Sequence, residues 1–133
     1  MSKFKLKIVS SDGLFFDGDV DMIITRTKNG DVGIKAGHIG LVTTLDIGRL
    51  KIFNDDEIKE AAVSGGFLKM LKKDGATIVT ATAEWAKDID IDRAKLSAQK
   101  AKEKLEAIKH HQKAQMKAEI KLKRAINRIN IAK

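Results

Sequence analysis

Apolar and polar residues alternate with a period of two along most of residues 3–83. In FKLKIVS, Phe4, Leu6 and Ile8 point one way while Lys5 and Lys7 point the other. Similar runs occupy VDMIITRT (20–27), LVTTLD (41–46), RLKIF (49–53), IKEAAVS (58–64), FLKML (67–71) and ATIVTATA (76–83). Turn signals stand between them at SDG (11–13), KNGD (28–31), NDDE (54–57) and KKDG (72–75). Asn-Gly and Asp-Gly tolerate the positive φ that tight hairpin turns require. Parallel strands need long crossovers, which these short links do not supply. The pattern predicts an antiparallel β domain, either a sandwich or a flattened barrel. The double glycine of VSGGFLKM (63–70) reads as a sheet corner, with a bulge or a close approach of backbones.

The period lengthens after Asp88, in DIDIDRAKLSAQKAKEKL (88–105). Asp90 or Asp92 suits the cap of a helix, whose first turn also gains from negative charge. Ala94, Ala98, Ala101, Leu105 and Ile108 follow a 4,3,4,3 spacing, a narrow apolar seam on one helix face. KHHQK (109–113) interrupts it, and Ala114, Ala118, Leu122, Ala125 and Ile129 form a second seam. Two amphipathic helices with a brief link predict an antiparallel hairpin. The expected division is a β domain at 1–86 and a helical domain at 87–133. Each alanine methyl contributes on the order of 0.8 kcal/mol of transfer free energy. Ordering the backbone costs roughly 1–2 kcal/mol per residue. A hairpin glued by alanine is therefore marginal alone and exchanges readily between resting places.

Charge sharpens the division. Residues 1–89 hold 13 Lys/Arg and 13 Asp/Glu, whereas residues 90–133 hold 13 and 5, so the whole net +8 sits in the helices. Such a segment seeks an acidic partner. Nucleic acid is not expected, because no aromatic residue interleaves with these lysines for base stacking. A membrane-surface helix would want bulkier apolar residues than alanine. No apolar run reaches the ~20 residues of a membrane span, so any membrane link is expected to pass through a partner. An acidic protein surface is the best match. Cysteine is absent, which excludes disulfides and thiolate chemistry. Neither a GxxxxGK[ST] loop nor a GxSxG elbow occurs. His110 and His111 are sequence neighbours on different helix faces, so no metal site is expected. His38 lies in the glycine-flanked loop KAGHIG, where a partner contact is plausible. Trp85 is expected to pack between the two parts.

At this point three stretches, in order, carry a resemblance. GDVGIKAGHIGLVTTL (30–45) resembles a Gly-x-x-Gly-x-x-Pro-Gly-His-x-Pro-Leu loop. VSGGFLKM resembles a Ser-Gly-Gly-Phe corner, and AEWAKDIDIDRAKLSAQKAK with LKRAINRI (122–129) resembles a pair of C-terminal helices. Together they resemble the epsilon subunits of bacterial F-type ATP synthases along essentially the full chain. That resemblance implies a sandwich of about ten strands followed by a two-helix hairpin. It implies no catalytic residue and a place on the rotating central stalk at the cytoplasmic face of the bacterial membrane. The sandwich would bind the gamma subunit and the c-ring, with Asp31 and His38 prominent in the c-ring contact at 28–40. The hairpin would reach the alpha and beta subunits, whose acidic segment suits its lysines, and would block ATP hydrolysis when extended. No cofactor is required, but regulatory ATP is implied by an Ile/Leu-Asp-x-x-Arg-Ala motif. Ile89, Asp90, Arg93 and Ala94 match it, with Glu84 upstream and Arg124 and Arg128 four residues apart on the second helix. Ala36 and Gly40 stand where the family has prolines around His38.

Overall fold

The chain is described here as a computed structural model covering residues 2–107 and 112–132. It divides into two compact units, residues 1–85 and 86–133. The first holds eight strands, of which β2 and β4 fall outside the alternating runs: β1 (Phe4–Ser10), β2 (Gly13–Val20), β3 (Met22–Thr27), β4 (Gly30–Lys35), β5 (Leu41–Asn54), β6 (Glu57–Leu71), β7 (Gly75–Val79) and β8 (Ala83–Trp85). They make one sheet in the order β2-β1-β7-β6-β5-β3-β4, with β8 added to β6. β1 and β4 lie far apart in that order, yet Leu6, Ile8 and Ile34 share one buried cluster with Ile23, Leu50, Ile52, Leu68 and Ile78. The sheet therefore folds over on itself as a sandwich, which buries the inward half of each alternating pattern.

The fold-over is made in β5 and β6. They pair along their whole length, but the register passes from Leu45↔Gly66 to Ile47↔Ser64, leaving Asp46 and Gly65 unmatched. Gly65 and Gly66 take φ of +97° and +117°, a region that side-chain-bearing residues avoid. Beyond this corner Phe67–Leu71 pairs with β7, whereas before it Ala61–Val63 pairs with β8. The runs at 41–46 and 49–53, and those at 58–64 and 67–71, are thus single bent strands. Hence the eight strands found in place of about ten; counting both halves of β5 and of β6 restores ten. One pairing departs from the antiparallel expectation. β1 and β7 are parallel, Leu6↔Ala76 to Val9↔Val79, because the strands between them, not a short link, bring the chain back.

In the second unit a single 3-10 turn, Ala86–Asp88, leads to α1 (Ile91–Ala107) and α2 (Gln112–Ala132), which pack on one another. Four residues separate the helices, so they run antiparallel. Ala94, Ala98 and Ala101 of α1 and Ala118 and Ala125 of α2 are buried, with Ile131. The seam is thus alanine on both sides, as its spacing indicated. Leu105, Leu122 and Ile129 are half-buried. Ile108, His110 and His111 fall outside the described residues, and the side chain of Ala114 does also.

Candidate functional site

The proposed nucleotide motif stands at the start of α1. Asp90 precedes the helix, and its Oδ1 accepts the Arg93 backbone N–H at 3.1 Å while its carbonyl accepts that of Ala94 at 3.0 Å. This is the N-cap arrangement, in which a carboxylate satisfies a helix amide that has no intrahelical partner. Asp90 is therefore the cap, and Asp92 lies inside the first turn. The Arg93 side chain is exposed, Ile89 is half-buried and Ala94 is buried in the seam. The antiparallel run brings the last third of α2, with half-buried Arg124 and Arg128, to the same end of the hairpin. Arg124 Nε is buried and has no hydrogen-bond partner among the described residues. Glu84 belongs to the β unit instead, on β8 opposite Ala62. Asp90→Ala is expected to cost about 1 kcal/mol of helical stability and Asp90→Asn only a few tenths, because asparagine caps as well. Thermal unfolding followed by circular dichroism reads the difference.

The loop residues are held separately. Asp31, the second residue of β4, is exposed and pairs with Arg26 at 3.4 Å. His38 lies beyond the other end of β4, roughly 13 Å of strand from Asp31 to Lys35 away. Its Nδ1 sits 2.8 Å from the Ile39 carbonyl. A carbonyl only accepts, so Nδ1 is the donor in this hydrogen bond. Ile39 beside it is 77% exposed. The structure places Asp31 and His38 at two ends of one strand and does not bring them together.

A third feature escaped the motif reading. Pairing aligns Leu14 with Val9, Val9 with Val79, Val79 with Phe67 and Phe67 with Thr44. Residues directly paired in a sheet share a face, so these five cross β2, β1, β7, β6 and β5 as one row. It is the outward face, since Ile8, Leu68 and Ile78 alongside are fully buried. Leu14 is 60% and Phe67 45% exposed, and Val42 and Leu71 on the same face are exposed too. The signal was present where two apolar residues stand together: Ile8-Val9, Phe67-Leu68 and Ile78-Val79. Strict alternation admits one inward member of each pair, and the other must face out.

Comparison with known proteins follows this division. The family described as "ATP synthase, Delta/Epsilon chain, beta-sandwich domain" matches residues 3–86, and "ATP synthase, Delta/Epsilon chain, long alpha-helix domain" matches residues 87–133. The chain is 45% identical over 105 residues to an ATP synthase epsilon chain of Alkaliphilus metalliredigens, covering 79% of this chain and 78% of that one. It is 36% identical over 132 residues to that of Ruminococcus albus, covering 99% and 98%. A chain in the cryo-EM structure of the Euglena gracilis mitochondrial ATP synthase superposes with a TM-score of 0.82 at 22% identity, covering 96% of this chain and 79% of that one, and so shares the fold. With both halves matched in order by one family, and relatives of this identity over nearly the whole length, the chain belongs to the epsilon chains of ATP synthase.

Proposed function

We propose that the chain is a rotor subunit of the central stalk, whose β domain clamps onto the gamma subunit and c-ring and whose hairpin regulates ATP hydrolysis. As an epsilon chain it is a subunit of the synthase and not an enzyme in its own right. The observation that carries the rotor reading is the outward row of Leu14, Val9, Val79 and Phe67. An apolar row of this kind on a sheet that already has a full core is a surface built to be covered. Gamma is its occupant in this reading, and the β4 loop around His38 and Ile39 faces the c-ring. The membrane is reached through the complex at its cytoplasmic face; among the described residues no helix is long and apolar enough to cross one. Phe67→Glu is expected to leave the fold intact and weaken binding to purified gamma subunit by 2–4 kcal/mol, roughly 30- to 1000-fold. Unchanged affinity in a binding titration would move the gamma contact elsewhere.

Regulation rests on the hairpin. Its core is alanine, its surface carries exposed Lys95, Lys100, Lys102, Lys104, Lys117 and Lys121, and it forms a compact unit separate from the sheet. A weakly glued cationic unit exchanges between resting places, one of them against acidic surface of the alpha–beta assembly. ATP acts as its ligand in this reading. Arg93, Arg124 and Arg128 supply guanidinium donors suited to phosphate oxygens, and Arg124 Nε has its donor uncommitted to protein. Asp90 spends one oxygen on the cap and keeps the other for a ribose hydroxyl or the adenine amine. ATP would then favour the conformation that holds these groups together. Equilibrium dialysis of the isolated subunit is expected to show ATP binding that Arg93→Ala weakens about tenfold or more. No binding at millimolar ATP would remove ATP from the mechanism.

A further inference from the structure

The single tryptophan sits at the end of the β unit and is tied down on several sides. β8 is three residues long and pairs Trp85 with Ala61. The Trp85 ring stacks on Phe15, with centroids 4.4 Å apart and planes at 27°. It meets Phe16 edge-on at 6.1 Å and 73°, and Lys59 Nζ lies 5.8 Å from the ring centroid. Two consecutive residues of a regular strand would point to opposite faces. Here β2 is bulged: Ile8 pairs with Phe16 and Val9 with Leu14, so Phe15 is the extra residue. A bulge re-aims side chains, and both phenylalanines reach the indole. The ring therefore packs within the β unit.

The next residues differ. Ala86–Asp88 is one 3-10 turn with no buried residue, touching α2, and the Ile89 N–H donates to the Ala86 carbonyl at 3.3 Å. The chain thus passes from a stacked, strand-paired aromatic to a turn with no buried residue across a single peptide bond. We infer that Trp85 is an anchor that ends the rigid part of the chain, and that Ala86–Asp88 is the segment that yields when the hairpin changes place. The inference rests on the regulatory reading above and gives it a mechanical origin. A 3-10 turn rises about 2.0 Å per residue and extended chain about 3.3–3.6 Å. Unwinding this one turn therefore lengthens the connection by roughly 4 Å without disturbing β8. Stacking of Trp85 keeps strain on the hairpin from peeling β8 off β6.

Hydrogen exchange on the isolated full chain tests it. In the unaltered chain the amides of Lys87–Ile89 are expected to exchange far faster than those of Ala61–Val63 and Ala83–Trp85. Trp85→Ala is expected to speed exchange at Ala61–Val63 and Ala83–Trp85 roughly three- to tenfold, with β3 and β4 unchanged and Trp85→Phe largely restoring protection. Should Trp85→Ala unfold the whole domain, Phe15→Ala removes one stacked ring and leaves β8 in place; accelerated exchange confined to β8 and its partner residues is again the expected result. Equal protection on both sides of Trp85–Ala86, or no change in either variant, would overturn the inference. The measurement uses the subunit alone, so its outcome stands apart from any effect of the hairpin on hydrolysis.

Discussion

Gly66→Ala is expected to destabilise the β domain by roughly 3 kcal/mol or more, whereas Gly65→Ala costs about 1–2 kcal/mol. Both positions have positive φ, so both substitutions incur backbone strain. They differ in the space available. A Cβ at Gly66 would lie 1.9 Å from the Val79 carbonyl oxygen and 2.9 Å from the Thr80 Cα, both main-chain atoms. A Cβ at Gly65 would lie 3.6 Å from the Leu45 carbonyl, an ordinary contact. Relief at Gly66 requires β7 to move, and β7 is held by Phe67↔Val79 on one side and by β1 on the other. For a domain of ~85 residues the loss lowers the melting temperature by roughly 10–20 °C, a large share of a typical stability of about 5–15 kcal/mol. Thermal unfolding of the two variants reads this directly. Equal shifts would mean that the backbones at the corner have room to separate.

The corner was legible in the sequence because the chemistry of Gly65-Gly66 is local: two residues without Cβ in the middle of alternating runs. The helical unit was legible for the same reason. Alanine spacing placed the seam, and Asp90 was one of two candidate caps. The bent strands were not, since nothing in LVTTLD and RLKIF says that Asp46-Ile47-Gly48 continues one strand round a corner. Gly48 shows why: a Cβ there would meet Arg26 Cβ at 2.7 Å, a neighbour known only once β3 lies alongside. The parallel β1–β7 pair was hidden likewise, being set by the return of the whole chain. β2 was missed because Leu14, Phe15 and Phe16 run together, and that run now has a cause in the bulge that turns Phe15 towards Trp85. Among site residues, the placing of Asp90, Arg93 and Ala94 at one helix start followed from spacing. The capping duty of Asp90 was foreseen as an alternative to ligand contact and is what the geometry shows. The outward apolar row needed strand register, which sequence alone does not fix.

Removing residues 89–133 is expected to have the other large effect, and it bears on regulation alone. Among the described residues the core of the β domain is drawn from its own strands, so the truncated chain is expected to keep its fold and, with it, the rotor contact proposed above. A hairpin that holds nine-tenths of the complexes inhibited needs a bias of only about 1.4 kcal/mol, and its loss then raises turnover about tenfold. So small a bias matches a unit whose buried seam is Ala94, Ala98, Ala101, Ala118 and Ala125. The decisive measurement is ATP hydrolysis by the purified, assembled synthase carrying either the full chain or residues 1–88, at matched subunit content. Faster hydrolysis by the truncated complex, with rotor assembly intact, is the expected result. Equal rates at low and at high ATP would contradict a regulatory hairpin and leave the helices a structural role only.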